Sequence, residues 1–200
     1  PFIPLHFMTV LKYFTAITLI FIVKTMKTVI PLLIVLFMTP LTIIDFNNNS
    51  NISNWQVVDD VVMGGKSNGN FQLNKDGYAV FSGDVSLENN GGFSSVQYTF
   101  DALNITNYKT VCIKLKGDGN NYQFRLKRDQ NDYYSYKKEF KTNGDWQTIK
   151  LQLASLQPTY RGRSLDIPNF NSNSIEQLTF LIANKKPQSF KLVLDKIWLE

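Results

Sequence analysis

The densest group of side chains able to do chemistry runs from Asp59 to Ser67: the adjacent carboxylates of Asp59 and Asp60, then Met63, the glycine pair Gly64 and Gly65, and Ser67. Two neighbouring carboxylates with a nearby serine can hold a cation or shape a polar pocket. They can equally cap backbone N–H groups in a tight turn. Gly65-Lys66-Ser67 opens no helix, so the stretch is not a phosphate loop. A second group, Glu88, Asn89, Asn90, Gly91, Gly92 and Phe93, could offer polar atoms to ligand hydroxyls with Phe93 as a wall, or form a hairpin turn over a buried Phe. A third, Arg161 and Arg163 astride Gly162, suits a carboxylate or phosphate, or an internal clamp on the acidic loops. A pocket shared by these loops requires Asp60 and Arg161 at the same end of the domain. Sugar recognition would pair flat rings with hydrogen-bonding side chains. Gln123, Arg125, Tyr134, Tyr136 and Trp146 are its candidates, with Tyr133 alongside; the alternative is that these rings fill the core.

Catalysis has little to work with. A glycosidase needs two carboxyl groups about 5–9.5 Å apart, and Asp59 or Asp60 with Glu88 is the one pair that recommends itself. The only histidine is His6, inside an apolar stretch, which removes Ser-His-Asp and Cys-His machinery and histidine-based metal sites from the polar part. Cys112 is the only cysteine, so an intrachain disulfide and every CxxC zinc site are excluded. Lys114 near it favours the thiolate, but without a histidine the bland reading, a small residue on a sheet face, is preferred. The residues predict a non-enzyme with no metal and no cofactor.

The elements that must position these residues divide the 200-residue chain sharply. The first 44 residues hold three lysines and no acid. That leaves 18 basic against 16 acidic side chains and a net charge of +2, against +5 for the whole chain. The pI of 9.2 therefore says little about nucleic acid, and no nucleic-acid partner is expected. Residues 1–25 read as an upstream extension or an extra apolar segment. Residues 26–44 read as a signal peptide or membrane-anchor helix. Lys24 and Lys27 hold its start in the cytoplasm, and its cleavage signal is weak. The polar domain is thus expected to be exported or membrane-anchored outside the cytoplasm, with membrane contact through this segment. Residues 45–54, rich in Asn and Ser, read as a linker.

Residues 55–200 read as strands. Thr110–Lys116 alternates Val111, Ile113 and Leu115 against Cys112, Lys114 and Lys116. Tyr122, Phe124 and Leu126 likewise oppose Gln123, Arg125 and Lys127. About nine or ten such stretches, separated by Gly- and Asn-rich turns and with no long helix pattern, predict an all-β antiparallel sandwich.

Trp55-Gln-Val-Val-Asp-Asp60, Val62-Met-Gly-Gly-Lys-Ser67, the Phe81-Ser-Gly83 strand, Glu88-Asn-Asn-Gly-Gly-Phe-Ser-Ser95 and Arg161-Gly-Arg163 together resemble the complex I intermediate-associated protein 30 family. The resemblance covers about residues 44–200. Val61 departs from it, since many members carry glycine after the acidic pair. It implies a galactose-binding-like jelly roll and a non-catalytic role. In the mitochondrial member that role is chaperone-like assembly of respiratory complex I. Protein partners are therefore the leading expectation, with the three loop groups as their surface. A mitochondrial location follows only if that best-known role applies. An exported carbohydrate-binding module is the alternative, and a glycosidase using Asp60 and Glu88 the second.

Overall fold

The computed structural model of the protein describes Thr18 and residues 39–200. Among the described residues thirteen strands follow in chain order: β1 (Leu41–Asp45), β2 (Trp55–Asp59), β3 (Asn68–Leu73), β4 (Ala79–Val85), β5 (Ser94–Asn104), β6 (Thr110–Lys116) and β7 (Asn121–Lys127). Then come β8 (Ser135–Lys141), β9 (Trp146–Gln152), β10 (Gln157–Tyr160), β11 (Arg163–Ser164), β12 (Ser174–Ile182) and β13 (Gln188–Leu199). They exceed the expected nine or ten because β1, β2, β10 and β11 are short and lie in stretches read as leader, motif or loop. All pairings are antiparallel. One sheet runs β3-β4-β13-β6-β9, with β1 also on β13; the other runs β11-β10-β8-β7-β12-β5-β2. The expected two-sheet sandwich is thus present.

The alternation decides what is inside. Val111, Ile113 and Leu115 from one sheet meet Tyr122, Phe124 and Leu126 from the other in a single core, joined by Leu178, Phe180 and Ile182 of β12. Their opposite-phase neighbours Gln123, Arg125 and Lys127 face outward, as a period of two requires.

Two boundaries differ from expectation. Leu41–Asp45, whose first four residues are assigned above to the apolar leader and the last to the linker, is a sheet strand: Leu41 faces Leu199 and Ile44 faces Ile197. Lys196 Nζ lies 2.8 Å from Asp45 Oδ2. A short apolar run reads alike as the end of a leader or as a buried strand. The linker at 45–54 is also built structure. Phe46 is buried against Trp55, ring centroids 5.6 Å apart, and the Asn47 and Asn51 side chains accept from Asn49 N and Ser53 N in local turns. The sandwich therefore starts at Leu41. Except for Thr18, residues 1–38, with His6 and most of the expected leader, lie outside the described residues; no described helix is long and apolar enough to cross a membrane.

Candidate functional site

Asp60 follows the end of β2 and begins a 3-10 turn, Asp60–Met63, and its side chain is fully buried. Its carboxylate is saturated. Oδ1 accepts from Ser67 N at 2.9 Å. Oδ2 accepts from Ser67 Oγ at 2.5 Å, Gly92 N at 2.6 Å and Phe93 N at 3.2 Å. Burial pushes its pKa up, but the hydrogen bonds from Ser67, Gly92 and Phe93 outweigh burial and hold it below the ordinary Asp value. Ser67 Oγ in turn accepts from Ser86 N at 3.0 Å. Asp59 does the same one residue earlier, accepting from Gly69 N at 2.8 Å and Ser94 Oγ at 2.5 Å.

The glycines are explained by this carboxylate. A Cβ on Gly65 would overlap Asp60 Oδ1, and one on Gly91 would come within 2.6 Å of Oδ2. Asp59, Asp60, Gly65, Ser67, Gly91 and Gly92 thus form a latch between the β2–β3 and β4–β5 loops. Asn89, whose φ of 56° is left-handed, ties it further by donating from Nδ2 to Gly64 O at 3.1 Å, and Asn90 follows with φ 61°. Of the two sequence readings, cation or ligand site against backbone cap, the cap is what the geometry shows. No group of three or more metal-ligating side chains occurs among the described residues.

Asp60 is equally unsuited to the glycosidase pair. Its oxygens are buried and occupied by four donors, so neither is free to meet a sugar or a water. Glu88 is exposed and paired with Lys66.

The latch presents something outward. Val61, Val62 and Met63 are 59%, 74% and 62% exposed, and Leu87 of the facing loop is 41% exposed. These are four of the eight large apolar side chains exposed among the described residues, gathered on two loops that one buried carboxylate joins. Only Met63 of the four was a sequence candidate. The signal for Val61 was its departure from glycine, and Leu87 carried none.

Arg161 and Arg163 do not join this group. Asp59 sits in the row of Ser94 and Ile182, near the Gln123 and Glu139 end of β7 and β8. The pairing of β10 with β8 runs the other way, from Gln157 opposite Lys137 to Thr159 opposite Ser135. Tyr160 and Arg161 therefore emerge at the opposite end and the opposite edge of the seven-stranded sheet, and the expected shared pocket does not exist. Neither arginine forms an ion pair among the described residues, so the internal clamp is absent too. The Arg161 guanidinium lies 5.3 Å from the Tyr160 ring centroid, next to Tyr133.

The sugar candidates are dispersed. Tyr136 is core, 3% exposed and edge-on to Phe170. The Tyr134 hydroxyl accepts from Arg128 Nη2 at 2.5 Å at the Arg161 end. Trp146 belongs to the other sheet, beside Tyr78. Gln123 and Arg125 do share the outer face of the seven-stranded sheet. There the register aligns Gln56, Gln97, Thr179, Arg125, Lys137 and Gln157 in one row across six strands. At about 4.8 Å per strand the row spans roughly 24 Å. Sequence reading missed all of it but Arg125, although polar residues at alternate positions of apolar strands were the available sign. A cavity of about 210 Å³ lined by Gln123, Glu139, Asn184 and Lys185, among others, adjoins Gln123.

Cys112 is buried beneath Lys150 and Glu200. Burial first, then the Glu200 charge, pushes its thiol up to about 11, against a nucleophilic role.

Comparison with solved structures bears out the architecture. The family 11 carbohydrate-binding module of a cellulosomal cellulase from Clostridium thermocellum superposes with a TM-score of 0.60 at 18% identity, over 80% of this chain and 94% of that one. The same module with a mixed-linked tetrasaccharide gives 0.59 at 19% identity, over 78% and 93%. An agarase gives 0.54 at 11% identity, over 80% of this chain and 24% of its own. At such identities the likeness is one of fold. No curated protein matches the chain. The sequence model described as complex I intermediate-associated protein 30 matches residues 44–194, the whole sandwich apart from its first and last few residues. With the Asp60 latch built by the residues that carried the resemblance, the chain belongs to the complex I intermediate-associated protein 30 family.

Proposed function

We propose that the protein is a non-catalytic binding module that docks a protein partner through the Val61–Met63 tip, with Leu87 as its second contact. The observation that carries this reading is the exposure of three consecutive apolar side chains on a turn whose first residue, Asp60, is fully buried and fourfold hydrogen-bonded. A rigid turn loses little entropy on docking, and fully burying a Val or Met contributes about 1.5–3 kcal/mol. The family description makes assembly intermediates of complex I the first class of client to test. The apolar leader would keep the domain beside a membrane, exported or anchored. Affinity capture from native membranes with wild type and with Val62→Asp tests the reading: defined partners retained by wild type and lost by the variant support it, and equal recovery by both refutes it.

A second reading has its own observation. The polar row from Gln56 to Gln157 suits a hydroxyl-rich chain laid across the strands, and the fold is that of modules named for binding carbohydrate. In this reading the sheet face, not the tip, is the site.

A further inference from the structure

Arg125 stands at the centre of the polar row, between Thr179 and Lys137. Its side chain is half-buried, yet it forms no ion pair among the described residues. Its Nε and Nη2 both donate to the neutral Gln123 Oε1, at 3.1 and 2.6 Å. The one acid nearby is already claimed: Glu139 Oε1 accepts from Gln123 Nε2 at 3.2 Å and lies 3.5 Å from Lys137 Nζ. Burying a cation without a counter-charge is costly, and the cost is relieved when an anion arrives. Burial duly lowers the Arg125 pKa, with Glu139 offsetting part of the effect.

The surroundings point the same way. On β7 and β8 the outward charges are Arg125, Lys127, Lys137, Lys141 and Glu139, a cationic excess. No position of β2, β5, β12, β7 or β8 on this face holds an aromatic ring: the residues are Gln56, Val58, Ser95, Gln97, Thr99, Asp101, Gln177, Thr179, Leu181, Asn121, Gln123, Arg125, Lys127, Ser135, Lys137, Glu139 and Lys141, of which Ser95, Gln177, Thr179 and Leu181 are themselves buried. A neutral sugar would have no ring face to pack against here, so charge has to supply the affinity. The amides and hydroxyls flanking Arg125 match a hydroxyl-rich chain. An extended peptide would instead seek backbone partners at a sheet edge.

We propose that the outer face of the seven-stranded sheet binds an acidic polysaccharide, with Arg125, oriented by Gln123, receiving a carboxylate of the chain. This rests on the second, carbohydrate reading. The gripping geometry is favourable, because a guanidinium fixed along one edge keeps its remaining N–H groups in a plane that fits a carboxylate.

The test titrates the full chain and its Arg125→Gln variant with oligogalacturonate, with a neutral mixed-linked β-glucan oligosaccharide and with poly-glutamate, at low and physiological salt. Expected are binding of oligogalacturonate alone, weakening with salt, and a loss of about 10- to 100-fold in Arg125→Gln, the range for a hydrogen bond to a charged group. Amide shifts at Gln97 and Thr179 report that the variant keeps its fold. Binding of the neutral glucan with equal affinity, unchanged in Arg125→Gln, overturns the inference and leaves the carbohydrate reading standing. Equal binding of poly-glutamate overturns the saccharide assignment. Binding of neither saccharide overturns both.

Discussion

Replacing Asp60 by Asn keeps the volume of the side chain and removes its charge, which isolates the latch. The carboxylate receives four hydrogen bonds, three of them on Oδ2. An amide can turn only one acceptor oxygen toward these donors. With that oxygen in the Oδ2 position its NH2 confronts Ser67 N–H, so one bond is lost and two donors face each other in a buried place. The remaining bonds fall from charge-assisted to neutral, at about 0.5–1 kcal/mol each, and the lost bond costs about 1–2 kcal/mol. The sum is about 4 kcal/mol. For a domain of this size 1 kcal/mol moves Tm by about 2–4 °C, so Asp60→Asn should melt roughly 8–16 °C lower. Differential scanning calorimetry of wild type, Asp60→Asn and Asp59→Asn reads it directly. Asp59 accepts only two such bonds and should lose less. A Tm change for Asp60→Asn within the range of a surface substitution, under about 0.5 kcal/mol, would refute the latch.

Two further outcomes follow. Because the folded pKa of Asp60 lies below its unfolded value, its contribution is complete above the unfolded value and is lost as pH falls through the folded one; urea midpoints measured down this acid range should fall more for wild type than for Asp60→Asn. With its thiol near 11, Cys112 should stay unalkylated by iodoacetamide at neutral pH in the folded protein and react readily in urea; fast labelling of the native state would contradict its burial.

The parts of the fold that could be read from sequence are those where one face is core and the other is not. Tyr122, Phe124 and Leu126 alternate so cleanly that their strand and its inner face follow at once. The same phase, carried along β8, puts Tyr136 with Phe140 in the core, so its place among sugar candidates was avoidable. Strand order was not legible. Nothing near Asp60 or Arg161 says that β2 and β10 lie far apart in the sheet, four intervening strands and a reversal of end separating them. Trp146 was misplaced for the same reason, since its strand pairs with β6 in the other sheet. The motif residues were found, but their role was ambiguous. A buried carboxylate satisfied by N–H groups and an exposed one awaiting a ligand are built from the same residue types. Only burial separates them, and burial comes from the tertiary fold.

The central claim is that the latch exists to present an apolar tip to a protein partner. A photo-crosslinking residue placed at Val62, with another at the turn residue Lys75 as control, tests it in the native membrane. A discrete protein adduct from position 62 and none from position 75 is the predicted result. The same adducts from both positions, or none from position 62 while the chain binds its partner, would contradict it.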